Sequence, residues 1–116
     1  MPTQELSRLP VRIPEKLSVE LIEEVVRTQK NLKGKSKWVC EAIEDILVAP
    51  DLRELVDFDD AIQTNLKAES FSIPVKVKDK IQGALIGLRK ALPEKNVTTS
   101  SIVRAAIIRK LILHEE

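Results

Sequence analysis

The chain has 116 residues, 19 Lys and Arg against 18 Asp and Glu, and three aromatic side chains: Trp38, Phe58 and Phe71. A single cysteine, Cys40, excludes an intrachain disulfide and a cysteine-based metal site. One histidine, no tyrosine and no Gly-rich phosphate loop leave little for nucleophilic or metal chemistry, so an enzyme is not expected and no cofactor is implied. No stretch reaches the ~18 uninterrupted apolar residues of a membrane span, and the N-terminus carries no apolar signal core, which together point to a cytoplasmic protein without a membrane partner.

The net charge of +1 is unevenly spread. Residues 1–49 balance at zero, residues 50–70 carry two bases against six acids, and residues 71–116 carry nine bases against four acids. The chain therefore divides into a neutral first part, 1–49, an acidic connector, 50–70, and a basic last part, 71–116.

Residues 7–13 alternate apolar and polar side chains, the period of a half-buried strand. Pro14 then opens a helix and Glu15 suits its positive N-terminal end. Leu17, Leu21, Ile22 and Val25 lie on one face of that helix, which runs to about Lys30 before a turn at Gly34. Ser36 is a candidate N-cap for a second helix, Lys37 to Val48, with Val39, Ala42, Ile43, Ile46 and Leu47 on its apolar face. Ala49-Pro50 stops it. The connector should hold a short helix packed by Phe58, because about 20 structureless residues would be long for a compact domain.

The plan then returns. With an offset of 64 residues, Pro10, Val11 and Lys16 coincide with Pro74, Val75 and Lys80, and Leu9, Arg12, Ile13, Glu15 and Leu17 have like-for-like partners in Ile73, Lys76, Val77, Asp79 and Ile81. This offset predicts a strand over Phe71 to Val77 and a helix over Asp79 to Leu92, with Lys78 standing where Pro14 stands in the first copy. Thr98, Thr99 or Ser100 caps a last helix, which runs to about Leu113. The offset persists there, matching Ser36 with Ser100, Val39 with Val103 and Ile43 with Ile107. Each copy of about 45 residues is near the limit of independent folding, so each needs the other or a partner chain.

The segments Leu9-Pro10-Val11-Arg12-Ile13-Pro14-Glu15-Lys16-Leu17, Gly34-Lys35-Ser36-Lys37 and Glu41-Ala42-Ile43 resemble the ribbon-helix-helix family of DNA-binding proteins. The doubling is similar to single-chain members among the relaxosome accessory proteins of conjugative plasmids. The resemblance implies a mainly α fold with a two-stranded antiparallel ribbon, formed by two tandem ribbon-helix-helix repeats as an intramolecular pseudo-dimer. It implies double-stranded DNA as partner, the ribbon entering the major groove, and a role as transcriptional regulator or as relaxosome or partition accessory. Such a monomer would act as its own dimer and could associate further along DNA.

On strand alternation, Leu9, Val11, Ile13, Ile73, Val75 and Val77 should face the helices. Arg8, Pro10, Arg12, Ser72, Pro74 and Lys76 should face outward, Arg8 opposite Lys76 and Arg12 opposite Ser72. Arg8, Arg12, Ser72 and Lys76 are then the candidates for base contacts. The family's use of the second helix's N-terminus as a phosphate clamp carries over to Ser36 and Lys37, with Lys33 and Lys35 adding charge, and to Ser100 and Ser101, with Thr98 and Thr99 adding hydroxyls. With proline at the centre of the ribbon, direct readout is sparse, and specificity would rest on DNA shape, several bound copies or a protein partner. The alternative on the same fold is a protein-interaction module that docks a partner on its helices or acidic connector and uses DNA weakly or not at all.

Overall fold

The computed structural model describes residues 5–29, 34–59 and 66–113, and for Gln29, Phe58 and Asp59 the backbone alone. The elements in order are β1 (Leu6–Pro14), α1 (Glu15–Gln29), α2 (Lys35–Leu47), α3 (Leu52–Asp59), β2 (Leu66–Pro74), α4 (Val75–Ala91) and α5 (Thr99–Leu113). The chain is mainly helical, with one two-stranded antiparallel sheet made by β1 and β2. No helix among the described residues is long and apolar enough to cross a membrane.

The short connector helix expected from spacing is present as α3, while the packing role expected of Phe58 lies outside the described side chains. The second strand differs from expectation. It runs from Leu66 to Pro74 rather than from Phe71 to Val77, so Leu66 to Ser70, taken for connector, are strand, and Val75, Lys76 and Val77 open a helix. Pro74, with φ −59° and ψ 140°, is the residue that hands β2 to α4, as Pro14 hands β1 to α1. The residue before a proline is biased to extended backbone, and proline itself precedes a helix without loss of a helical hydrogen bond, so Ile-Pro ends a strand and admits a helix. The strand ends set Ile13-Pro14 against Ile73-Pro74, an offset of 60. The offset becomes 64 at α2 and α5 because α4 is two residues longer than α1 (17 against 15) and the link after it is two longer (92–98 against 30–34).

The strands pair with Pro10 opposite Ser70, Arg8 opposite Ser72 and Arg12 opposite Ala68. Antiparallel partners alternate between hydrogen-bonded and open pairs. Val75 N–H donates to the Glu5 carbonyl (3.0 Å), so the odd-numbered positions of β1 form the ladder. The three prolines of the ribbon, Pro10, Pro14 and Pro74, all stand at even positions, where no ladder bond is lost. Leu9, Val11, Ile13, Phe71 and Ile73 point inward and are buried, while Arg8, Pro10, Arg12, Ala68, Ser70 and Ser72 are exposed on the other face.

The inner face of the ribbon rests on one continuous core. Leu17, Leu21 and Val25 of α1 and Val77, Ile81, Leu85 and Leu88 of α4 enter it at helical spacing. Trp38, Val39, Ala42, Ile43 and Ile46 of α2 meet Ile102, Val103, Ala106 and Ile107 of α5 at its centre. Trp38 is buried, although its Nε1 has no partner among the described residues. Lys110 is also buried. Its Nζ lies 4.8 Å from the centre of the Trp38 ring, 3.4 Å from the Trp38 carbonyl and 3.3 Å from Glu41 Oε1, so the cation is partnered on several sides. Helix α3 buries Val56 and packs against α5, leaving α5 covered nearly all round.

Gly83 and Gly87 lie on the exposed face of α4, and a Cβ at either would meet nothing within 4 Å. Glycine in a helix interior costs roughly 1 kcal/mol relative to alanine. Gly83→Ala and Gly87→Ala should each raise the free energy of unfolding by about 1 kcal/mol in urea titration.

Candidate nucleic-acid interface

Arg12 N–H turns away from β2 and donates to Ser100 Oγ (3.0 Å), and Ser72 N–H turns away from β1 and donates to Ser36 Oγ (3.1 Å). The first turns of α5 and α2 are thereby fixed against the two outer edges of the ribbon, α5 beside β1 and α2 beside β2. Helix N-termini carry unpaired N–H groups and partial positive charge. The exposed ribbon face is therefore flanked by a positive helix end on each side.

The local reasons for these helix starts differ. Ser36 is not the cap of α2: Gly34 occupies that position without a side-chain bond, and the Ser36 hydroxyl serves the ribbon instead. Among the three candidates for α5, Thr98 is the cap. Its Oγ1 accepts from Ser101 N–H (3.3 Å) while Ser101 Oγ accepts from Thr98 N–H (3.1 Å), a reciprocal capping box with serine in the usual glutamate position. The hydroxyls of Thr98 and Ser101 are thus engaged with the helix start itself. Thr99 and Ser100 form the first turn, and Ser100 faces the ribbon.

The structure brings Arg8, Arg12 and Ser72 together on the exposed ribbon face. Arg8 is opposite Ser72 rather than Lys76, and its Nη1 donates to Ser70 Oγ (3.2 Å). Lys76 does not share that face: it lies in the first turn of α4, exposed, because β2 ends two residues before it. Lys37 is exposed at the start of α2. Lys35 is engaged inward, where its Nζ binds Glu69 Oε2 (2.8 Å) and lies 5.3 Å from the centre of the Phe71 ring. Lys33 lies outside the described residues.

Sequence reading missed Glu69 and Arg104. Glu69 occupies an inward position of β2, opposite Val11, and receives Ser18 Oγ (2.9 Å) as well as Lys35. Burial disfavours the charged form, but the hydrogen bonds from Lys35 and Ser18 and the charges of Lys35 and Lys67 outweigh it and hold the carboxyl below its ordinary range. Arg104 is buried, and its Nη1 donates to the Arg12 carbonyl (2.6 Å). The Ile13-Pro14 and Ile73-Pro74 match, had it been taken as the anchor, would have placed Glu69 on the inner face. Nothing in the sequence marks Arg104, which falls among apolar residues of α5.

Two concavities flank the ribbon. One of about 550 Å³ lies beside α5 and is lined by Arg12, Ala68, Glu69, Asn96, Thr98, Ser100 and Arg104 among others. The other, about 450 Å³, lies beside α2 and is lined by Leu6, Ser36, Lys37, Cys40, Glu41, Glu44, Ser72 and Pro74. The first has two guanidinium groups against one carboxylate, which is itself paired with Lys35; the second has one lysine against two carboxylates. Cys40 has its thiol pushed up to about 11 by burial, by the charge of Glu44, by its hydrogen bond to Glu44 and by the charge of Glu41. No cluster of side chains among the described residues could hold a metal ion.

No family model, curated protein or solved structure matches the chain.

Glu69 stabilises the fold only while ionised. Its contribution is complete above the carboxyl's unfolded pKa and disappears as pH falls through the lowered folded value. Urea unfolding between pH 7 and pH 3 should show a steeper loss for the native chain than for Glu69→Gln, and Glu69→Ala should cost about 2 kcal/mol at pH 7. At pH 8, Cys40 should react with iodoacetamide on the order of a hundredfold more slowly in the folded protein than in the unfolded chain, because so little thiolate is present.

Proposed function

We propose that this chain binds double-stranded DNA by laying the exposed face of the β1–β2 ribbon in the major groove, as two ribbon-helix-helix units of one chain paired with each other. The observation that carries this reading is the ribbon flanked on both edges by the N-terminal turns of α2 and α5, held there by Ser36 and Ser100. The major groove of B-DNA admits a two-stranded ribbon, and helix N-termini at its sides suit the phosphates of the two backbones.

Readout on this proposal belongs to β1. Arg8 and Arg12 are the long side chains on the ribbon face, and arginine grips guanine through two parallel hydrogen bonds. β2 offers Ala68, Ser70 and Ser72. Their small size allows close approach of the backbone, and the Ala68 methyl suits the thymine methyl group. Lys37 and the amides of the first turns of α2 and α5 contact phosphate. Glu41 and Glu44 weaken the grip on the α2 side, so the site is asymmetric in both base contacts and backbone contacts. A cytoplasmic regulator of transcription and an accessory of plasmid transfer or partition both require such a reader, and the ribbon chemistry is the same for either.

A protein-interaction role is the second reading. It is favoured by the small number of long side chains on the ribbon and by the exposed acids Asp51, Glu54 and Asp57 of the α3 region. The two readings separate on salt. Phosphate contacts release counterions, so DNA affinity falls steeply as salt rises, whereas an apolar protein contact does not.

Selection from random duplex DNA at about 150 mM salt should enrich an asymmetric motif. Arg12→Ala should weaken binding to it by about 2 kcal/mol, roughly 30-fold, with an unchanged circular dichroism spectrum. Absence of enrichment, with all binding lost on a modest rise in salt, would move the assignment to protein interaction.

A further inference from the structure

We infer that Arg104, buried in α5, is a positioning residue that fixes the β1 end of the ribbon for base readout by Arg12; this inference rests on the DNA-binding reading above. Both polar groups of the Arg12 backbone are held by α5. Its N–H donates to Ser100 Oγ (3.0 Å), and its carbonyl accepts from Arg104 Nη1 (2.6 Å). Ser100 and Arg104 are four residues apart, so they project from the same face of the helix and bracket one residue of the strand.

The other end of the ribbon is held less completely. Ser72 corresponds to Arg12, and its N–H is bound by Ser36. The residue four beyond Ser36 is Cys40, whose thiol donates to Glu44 on its own helix at 3.6 Å. The bracket is thus complete where the ribbon carries a long reading side chain and half-built where it carries a serine.

A guanidinium with 3 % of its residue surface exposed is costly to desolvate unless its donors are used. An apolar residue would satisfy the core at this position, as Ile102, Val103, Ala106 and Ile107 do around it. What the arginine adds is a charge-assisted hydrogen bond to a strand carbonyl that a two-stranded ribbon leaves unpaired at an open position. Pinning that peptide restricts the Cα from which the Arg12 side chain departs. Base recognition demands such restriction, because a bidentate pair tolerates little angular error.

The test compares position-by-position base preferences of the native chain with those of Arg8→Ala, Arg12→Ala, Arg104→Lys and Arg104→Met, all from random duplex selection. Arg104→Met should erase preference at the same base pairs as Arg12→Ala and leave those lost in Arg8→Ala intact. The Arg12→Ala/Arg104→Met double variant should lose no more than Arg12→Ala alone. Arg104→Lys, which keeps a cationic donor, should recover at least part of that preference. Uniform weakening at every position, or loss at the Arg8 positions, overturns the assignment while leaving DNA binding standing; a native chain without any sequence preference overturns the DNA reading itself. Should both Arg104 variants fail to fold, amide hydrogen exchange in the native chain decides. Arg12 should exchange at least tenfold more slowly than Ser72, and equal protection of the two overturns the inference.

Discussion

A two-stranded ribbon has two outer edges and no further strands to satisfy them, and the rest of this structure depends on how those edges are met. The odd positions of β1 pair with β2, leaving the even positions facing out. Proline removes the amide at Pro10, Pro14 and Pro74, and serines on the first turns of α5 and α2 accept the amides of Arg12 and Ser72. These two bonds set where α5 and α2 meet the ribbon, and through those helices they set the centre of the core. Each is a modest net contribution, on the order of 1 kcal/mol, but together they determine register, because a slip of one residue would present the ladder amides to the serines and turn Leu9, Val11 and Phe71 to solvent.

The helices that meet the two edges differ in character. Along α2 the outward side chains are Lys37, Glu41 and Glu44; along α5 the corresponding positions hold Ser101, Ala105 and Ile108. A polar outer face leaves α2 content in water. The apolar face of α5 requires a cover, which α3 provides through Val56, with Lys95 Nζ lying 3.5 Å from Asp57 at the edge. Burial along most of its length is what lets α5 carry Arg104 and Lys110 as internal cations with fixed partners. The asymmetry of charge along the sequence is therefore partly an asymmetry of depth: some of the excess base after residue 71 is structural and does not reach the surface.

Much of this was legible in the residues. Alternation marked β1 and its inner face, helical spacing marked α1, α2, α4 and α5, and charge marked the connector. The second strand was misplaced because two alignments competed. Matching Pro10 to Pro74 keeps one offset of 64 throughout, while matching Pro14 to Pro74 requires four extra residues between Pro74 and α5, and a gapless match looks better on sequence alone. Tertiary packing chose the other: Val75 and Val77 suit a strand by propensity, but burial places Val77 on the core face of α4 with Ile81 and Leu85. The shift moved Lys76 off the ribbon and brought Ala68, Ser70 and Glu69 onto it. Arg104 was not legible at all, since a buried cation inside an apolar run leaves no periodic trace.

Because β1 and β2 belong to one polypeptide, the ribbon forms in a unimolecular step. A ribbon assembled from two chains comes apart on dilution, and its stability is inseparable from protomer concentration. Here the strands are separated by the 51 residues from 15 to 65, and closing a loop of that length carries an entropic cost that grows only logarithmically with its size. The pairing of β1 with β2 therefore carries no concentration term. It also frees each strand of the ribbon to change by single substitutions, whereas in a two-chain ribbon every change appears twice.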